Sequence, residues 1–170
     1  MELNLKNSLC AADFAGKVAI FDMDGVLMPF RYNGRIQPID GAYHIQPDEF
    51  NAGIIEQSVP SKHLQDVVSS IDAVECLATA NVVYNEEFEK RTEWLHEHYP
   101  RVKDLLICQN GRTTVAAIED RMECYQWQKL GITKEKIIII CANVNQLSYL
   151  ETCGYDAWHV SSIMDFYKQS

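Results

Sequence analysis

The chain has 170 residues, a formal net charge of −9, and 47% hydrophobic and 23% charged residues, which is an ordinary composition for a globular protein. This length predicts a single domain over residues 1–170, and no apolar run approaches the roughly 20 residues that cross a bilayer. The acidic balance argues against nonspecific binding to nucleic acid, because neutralising phosphates requires clustered lysine and arginine side chains.

The N-terminus and the cysteines indicate the compartment. Residues 1–10 are polar and contain no recognisable signal peptide. The six cysteines form no CxxC pair and no ligand-like spacing. Most of them lie in apolar runs, where a free cysteine behaves as a small hydrophobic residue. We therefore expect a cytoplasmic protein with no membrane partner.

Short apolar runs alternate with amphipathic segments along most of the chain. Near-continuous apolar strands suit a parallel sheet that is covered on both faces. Alternating strands and helices then predict right-handed crossovers and a three-layer α/β/α Rossmann-like sandwich. The five predicted strands cover residues 17–21, 73–77, 105–108, 137–140 and 157–160.

Four helices are predicted between these strands. Ser61 is expected to cap the first, and Asn85, followed by two acids, begins the second, which Pro100 ends. Apolar residues at helical spacing predict a continuous third helix and a shorter fourth, each ended by a glycine. These two helices cover residues 114–130 and 145–153, before Gly131 and Gly154.

Residues 28–59 break the alternating pattern, because prolines and glycines interrupt them repeatedly. The sequence Tyr-Asn-Gly-Arg at 32–35 favours a hairpin with a type I′ turn. The segment directly follows the first strand and is too short for an independent domain. We interpret it as a small flap or lid insertion, with a surface excursion as the alternative.

Two acids mark a candidate site. Asp22 and Asp24 lie at the end of the first predicted strand and are followed by Gly25, which permits a tight turn. A buried carboxylate must be paired, hydrogen-bonded or metal-bound, since desolvating it costs on the order of several kcal/mol. Ligands of parallel sheets bind at the carboxyl ends of the strands. An ordinary Asp-x-Asp-Gly loop is the structural alternative.

The sequence of residues 18–27, Val-Ala-Ile-Phe-Asp-Met-Asp-Gly-Val-Leu, resembles motif I of the haloacid dehalogenase (HAD-like) superfamily, whose members are mostly magnesium-dependent phosphatases. The predicted hairpin resembles the flap that follows this motif. The resemblance implies that Asp22 is the nucleophile, which takes the phosphoryl group as an aspartyl phosphate. It implies that Asp24 protonates the leaving oxygen and then activates water. It also implies a strand order of 5-4-1-2-3.

The second strand resembles motif II, in which an apolar strand ends in serine or threonine. By this resemblance Thr79, with the backbone N–H of Ala80, holds the phosphoryl group. Residues 84–100 are similar to the following helix of the small-cap 5′-nucleotidase or deoxyribonucleotidase-like branch. An amphipathic helix with a charged solvent face is the alternative. His96 and His98 fall on different helix faces, so we do not interpret them as a metal pair.

Two further motifs of the superfamily are degraded. The turn expected to carry the motif III lysine reads Gly-Arg-Thr-Thr at 111–114, with Thr114 at the lysine-like position. Arg112 or Arg121 is the alternative source of that positive charge, since arginine binds phosphate well. The sequence therefore does not decide which residue supplies the positive charge in place of the motif III lysine.

Motif IV should supply one or two aspartates after the fourth strand. Cys141 and Ala142 stand there instead, and residues 136–150 contain no Asp or Glu. The ligands left for Mg²⁺ are Asp22, the backbone of Asp24, and Asn143 or Asn145, of which we favour Asn145. A site with so few carboxylates should bind Mg²⁺ weakly, although substrate phosphate oxygens could complete it.

Three interpretations compete. The first is a phosphatase that hydrolyses a small phosphate ester, including a nucleotide; the retained Asp22 and Asp24 favour it. The second is a degraded member that acts as a phosphate- or nucleotide-binding or interaction module; the altered motifs III and IV favour it. The third is a thiol enzyme, with a Cys141 thiolate stabilised before a helix N-terminus. We take the phosphatase as the working hypothesis. The short lid suits either an open pocket or one closed by a second subunit of a homo-oligomer.

Overall fold

The computed structural model describes residues 8–29, 45–109 and 113–166. Its strands are β1 (Val18–Asp22), β2 (Glu75–Asn81), β3 (Val102–Cys108), β4 (Ile137–Cys141) and β5 (Asp156–His159). They form one sheet in the order β3-β2-β1-β4-β5, and every neighbouring pair is parallel. The predicted parallel sheet and its strand order are confirmed.

Helices cover both faces of this sheet. The described helices are α1 (Pro47–Asn51), α2 (Lys62–Ser70), α3 (Asn85–His98), α4 (Thr114–Met122), α5 (Tyr125–Leu130) and α6 (Val144–Thr152). Short 3₁₀ helices occur at Ala11–Phe14, Lys134–Lys136 and Val160–Ile163. Residues of α2 and α3 share one buried cluster with one face of the sheet, and residues of α4, α5 and α6 share a second cluster with the other.

The central strands explain the two clusters. Along β1, Ala19 and Phe21 belong to the first cluster, whereas Val18 and Ile20 belong to the second. Side chains of a strand alternate between faces, so a strand that is apolar at every position is buried on both sides. All four of these residues are completely buried. The predicted α/β/α sandwich is therefore the observed architecture.

The element boundaries match the predictions in part. Ser61 caps α2, where its side chain accepts a hydrogen bond from the backbone N–H of Leu64 at 3.3 Å. Gly131 ends α5 in the left-handed conformation, with φ 65°. The predicted continuous helix over 114–130 is wrong, because Cys124 has an extended backbone that separates α4 from α5.

Part of the predicted lid can be placed. The hairpin predicted at 32–35 lies outside the described residues. Met28, Ile45 and Ile55, which flank or follow it, are buried in the same cluster as α2 and α3. The described part of the segment therefore packs onto the sandwich. None of the described helices has the length and apolar character that crossing a membrane requires.

Candidate active site at the carboxyl edge of the sheet

Strand β1 lies in the middle of the sheet, between β2 and β4. The chain crosses to one side of β1 to form β2 and β3, and to the other side to form β4 and β5. In such a sheet the crevice beside the carboxyl end of the central strand is the usual ligand site. Asp22 is the last residue of β1, and Asp24 lies in the turn that follows. The topology therefore brings both acids to this crevice.

The turn after β1 is compact. Its backbone is closed by hydrogen bonds from the N–H of Gly25 to the carbonyl of Met28 at 2.9 Å and from the N–H of Met28 to the carbonyl of Met23 at 2.8 Å. Gly25 has φ 82°, and a Cβ added there would lie 3.0 Å from the Cβ of Ala142. A side chain at position 25 would meet both backbone strain and the loop after β4.

Asp22 has neutral partners. Thr79, its register partner on β2, donates its hydroxyl to Oδ1 of Asp22 at 2.5 Å. Gln146 on α6 donates Nε2–H to the same oxygen at 3.5 Å. Among residues 8–29, 45–109 and 113–166, no lysine or arginine pairs with Asp22. Burial raises its pKa to about 7; the charge of Asp24 adds to this, and the two hydrogen bonds oppose it.

Asp24 has a charged partner. Arg91 on α3 donates NH1 to Oδ1 of Asp24 at 2.9 Å and NH2 to Oδ2 at 3.1 Å, which is the strong bidentate geometry. Arg91 also donates Nε–H to Glu87 at 3.3 Å. Burial alone would lower the pKa of Arg91, but the charges and hydrogen bonds of Asp24 and Glu87 outweigh it, and the pKa is raised.

Glu87 and Arg91 are completely buried, although the predicted helix offered a charged solvent face as one interpretation. The other Glu87 oxygen accepts the backbone N–H groups of Val83 and Tyr84, just before α3, at 3.2 Å, so both oxygens of Glu87 have partners. Sequence reasoning missed both residues. The available signal was their spacing, because Glu87 and Arg91 lie on the same helix face as the buried Trp94 and Leu95.

Of the residues expected to bind phosphate, the structure places Thr79 beside Asp22 but does not place the others as predicted. Thr79 is buried beside Asp22. Ala80 does not follow the strand end as motif II predicts, because β2 continues to Asn81. Arg112 lies outside the described residues. Arg121 as the source of positive charge is wrong, because it donates to Glu75 and Asp104 at 3.2 and 3.0 Å, near the amino ends of the strands.

The loop after β4 contributes an amide that the sequence did not predict. Asn143 caps α6, and its side chain accepts the backbone N–H groups of Asn145 and Gln146 at 2.9 and 3.2 Å. Asn145 is exposed in the first turn, whereas the side chain of Gln146 contacts Asp22. Gln146 also donates Nε2–H to the hydroxyl of Thr114, the first residue of α4, at 3.0 Å. Only the fold brings these residues together.

The thiolate alternative is wrong. Cys141 is completely buried, and its thiol donates to the backbone carbonyl of Asn143 at 3.9 Å. Burial, together with the negative charge of Asp22, raises the pKa of Cys141 to about 12. The thiol therefore stays protonated at neutral pH and is a poor nucleophile.

The donor set fits only a weakly held Mg²⁺ ion. Among the described residues, no group of three or more His, Cys, Asp or Glu side chains could hold a metal. Both carboxylate oxygens of Asp24 already accept hydrogen bonds from Arg91, which leaves Asp22 as the available carboxylate. Mg²⁺ is often held by one or two carboxylates with water and substrate phosphate oxygens, so one carboxylate gives a minimal site.

Comparison of the sequence with protein-family models and with curated proteins found no match to either. The geometry of the carboxyl edge therefore carries the functional argument. At that edge one acid, Asp22, has neutral hydrogen-bond donors and a raised pKa, and the other, Asp24, is held by an arginine.

Proposed function

We propose that the protein is a HAD-like phosphatase that hydrolyses a small phosphate ester, with Asp22 as the nucleophile. The observation that supports the proposal is that two acids at the end of one strand have different surroundings. Asp22 is desolvated and has no cation beside it in the part of the chain that the structure describes, whereas Asp24 is held in a bidentate ion pair. Acids with perturbed pKa values in a ligand crevice are candidates for catalysis.

The first step uses the free oxygen of Asp22. Both of its hydrogen bonds from described residues reach Oδ1, so Oδ2 is available to attack phosphorus. The Oδ2–P bond forms as the bond from phosphorus to the ester oxygen breaks, and Asp24, which enters this step protonated, gives its proton to that leaving oxygen and becomes the carboxylate that Arg91 holds. Splitting hydrolysis in this way replaces one difficult displacement by two easier ones.

The second step releases phosphate. Water attacks phosphorus, Asp24 takes the proton of that water, and the Oδ2–P bond breaks to restore Asp22. Arg91 holds the Asp24 carboxylate by both oxygens and so orients it for both proton transfers. Mg²⁺, when bound by Asp22, the backbone carbonyl of Asp24 and Asn145, would screen the charge of the phosphoryl oxygens.

The test is turnover of an activated phosphate ester, p-nitrophenyl phosphate, with and without millimolar Mg²⁺. Asp22→Asn should lower kcat by about 10³-fold or more, because it removes the proposed nucleophile. Asp156→Asn is a matched control, since Asp156 begins β5 at the other edge of the sheet, where it pairs with Lys17. Its kcat should equal that of the wild type.

Mass spectrometry of acid-quenched protein should also detect one phosphoryl group on the peptide that contains Asp22. Wild-type turnover in Asp22→Asn, or a phosphoryl group on another residue, would refute the proposal. Calorimetry that detects no Mg²⁺ binding, with or without phosphate, would remove the metal from it.

A second candidate function rests on a separate observation. The acid side chain beside Asp22 in the loop after β4 that a metal site would use is missing, and the side chain that contacts Asp22 from α6 is the neutral amide of Gln146; this favours a phosphate- or nucleotide-binding module without turnover. The two functions differ in one measurement. Calorimetric binding of phosphate or a nucleotide that Asp22→Asn leaves intact, in a protein without detectable turnover, would favour the binding module.

A further inference from the structure

The side chain of Gln146 is fixed at both of its amide N–H groups. Its backbone is held at the start of α6 by the cap of Asn143. One Nε2–H then points to the Thr114 hydroxyl at 3.0 Å and the other to Oδ1 of Asp22 at 3.5 Å. A carboxylate accepts hydrogen bonds and cannot donate them. The Gln146 amide therefore turns its nitrogen, and not its oxygen, towards Asp22.

The hydrogen bonds also distinguish the two oxygens of Asp22. Thr79 and Gln146 donate to Oδ1 from opposite sides of β1, since Thr79 lies on β2 and Gln146 on the helix after β4. Oδ2 accepts no hydrogen bond from the described residues. Rotation of the carboxylate about its Cβ–Cγ bond, short of the half-turn that exchanges its two equivalent oxygens, would break both contacts, so these contacts fix the orientation of the carboxylate.

Thr114 holds the Gln146 side chain in this position. Its hydroxyl accepts from Gln146 and lies 3.6 Å from the sulfur of Cys108, at the end of β3. A continuous set of contacts therefore runs from β3 through α4 and α6 to Asp22. The Gln146–Asp22 contact is long, at 3.5 Å, and catalytic hydrogen bonds often shorten when the substrate binds.

We propose that Gln146 is a positioning residue that aims Oδ2 of Asp22 at phosphorus, and that Thr114 holds Gln146 in place. This inference rests on the proposed phosphatase function. Misplacement of a nucleophile by about 1 Å can cost roughly 100-fold in rate. Because Gln146 contacts Asp22 and not the ester group, its loss should reduce kcat and leave KM nearly unchanged.

The experiment compares Gln146→Leu with Thr114→Val. Gln146→Leu should lower kcat about 10-fold to 100-fold, and Thr114→Val should lower it less, with recovery in Thr114→Ser. Because Thr114 acts through Gln146, the double variant should be no slower than Gln146→Leu alone. Gln65→Leu is the matched control, since the Gln65 amide donates to the backbone of His98 at 2.9 Å.

A second readout does not depend on turnover. In protein labelled with ¹³C at aspartate carboxyl groups, Gln146→Leu should shift the Asp22 resonance, assigned by its loss in Asp22→Asn, whereas Gln65→Leu should not. A shift without any turnover would retain the positioning contact and refute the phosphatase. An unshifted resonance, wild-type kcat in Gln146→Leu, or multiplying losses in the double variant would refute the positioning role.

Discussion

Two acids at opposite edges of the same sheet have opposite surroundings. Glu75 begins β2 at the amino edge, where Lys103 and Arg121 each contact it at 3.2 Å and Trp127 donates its indole N–H at 2.5 Å. Burial alone would raise its pKa, but these hydrogen bonds and charges outweigh it and the pKa is lowered. Asp22, at the carboxyl edge, accepts from neutral donors alone within residues 8–29, 45–109 and 113–166, and its pKa is raised to about 7.

The difference is the one expected between a structural acid and a reactive one. The partners of Glu75 compensate its charge, so the fold favours its ionised form. The charge of Asp22 is not compensated by any cation among the described residues, so the ionised form costs stability that the fold tolerates. Natural proteins keep such locally unfavourable groups mainly where function requires them. The contrast therefore supports a reactive role for Asp22, and mutations at each edge can test it.

The largest effect is expected at Arg91, because it makes Asp24 unlike its neighbour Asp22. Arg91→Met would leave two carboxylates, Asp24 and Glu87, without their cation. Breaking a buried ion pair in this way should lower the free energy of unfolding by about 3–5 kcal/mol, measured by urea denaturation. Arg91→Lys keeps the charge and loses the bidentate contact, so its loss should be smaller. A loss under about 1 kcal/mol in Arg91→Met would show that the ion pair contributes little.

Glu75 provides the corresponding test at the amino edge. Glu75→Ala removes the acceptor of the Trp127 N–H and one of the two carboxylate partners of Arg121, which should cost about 2–4 kcal/mol of unfolding free energy. Glu75→Gln retains an acceptor for Trp127 and should lose less. Activity of the folded fraction should equal that of the wild type in both variants. If kcat fell instead, Glu75 would not be a purely structural acid.

Much of the fold could be predicted from the sequence, because apolar runs mark strands that are buried on both faces. The boundaries were less accurate where polar residues continue an element. The strand predicted to end at residue 77 extends to Asn81 through Thr79, since pairing with neighbouring strands supports its polar end. The helix predicted over 114–130 is interrupted, although its apolar residues keep a helical spacing that shows no break.

The candidate site was only half predictable. Asp22, Asp24 and Thr79 could be found because each lies near the end of a strand, where parallel sheets bind ligands. Arg91 and Gln146 could not, since they reach the acids from positions 67 and 124 residues further along the chain. Long side chains cross between elements in ways that depend on packing. Periodicity within one helix shows that Arg91 is buried but does not identify its partner.

The substitution Asp22→Asn should have an effect of intermediate size, and it should raise the free energy of unfolding where the substitutions at Arg91 and Glu75 lower it. Its pKa is about 7 in the fold against 3.8 for the ordinary group, so the unfolded chain loses this proton at lower pH than the folded chain. The stability associated with the protonated group is complete below about pH 4 and is lost as the pH rises through about 7. Asp22→Asn removes this loss and retains an oxygen that accepts from Thr79.

We therefore expect Asp22→Asn to be about 2 kcal/mol more stable than the wild type at pH 8. The difference should vanish near pH 4, where both side chains are uncharged. Urea denaturation at several pH values measures it, with Glu75→Gln as the control that is destabilised at pH 8. Equal stabilities of Asp22→Asn and the wild type at pH 8 would mean that Asp22 is not desolvated.

The smallest effect is expected at Lys103, and it identifies the partners of Glu75 that matter. The Lys103 side chain is 58% exposed, whereas that of Arg121 is 20% exposed. Water screens an exposed ion pair, so Lys103→Met should cost less than about 1 kcal/mol. Arg121→Met should cost more, because it also unpairs Asp104 and removes the side chain that lies over the Trp127 ring. Urea denaturation of both variants measures the difference. If Lys103→Met lowered the free energy of unfolding more than Arg121→Met, the exposed lysine would be the cation that compensates Glu75. The partly buried arginine would then not explain why the surroundings of Glu75 differ from those of Asp22.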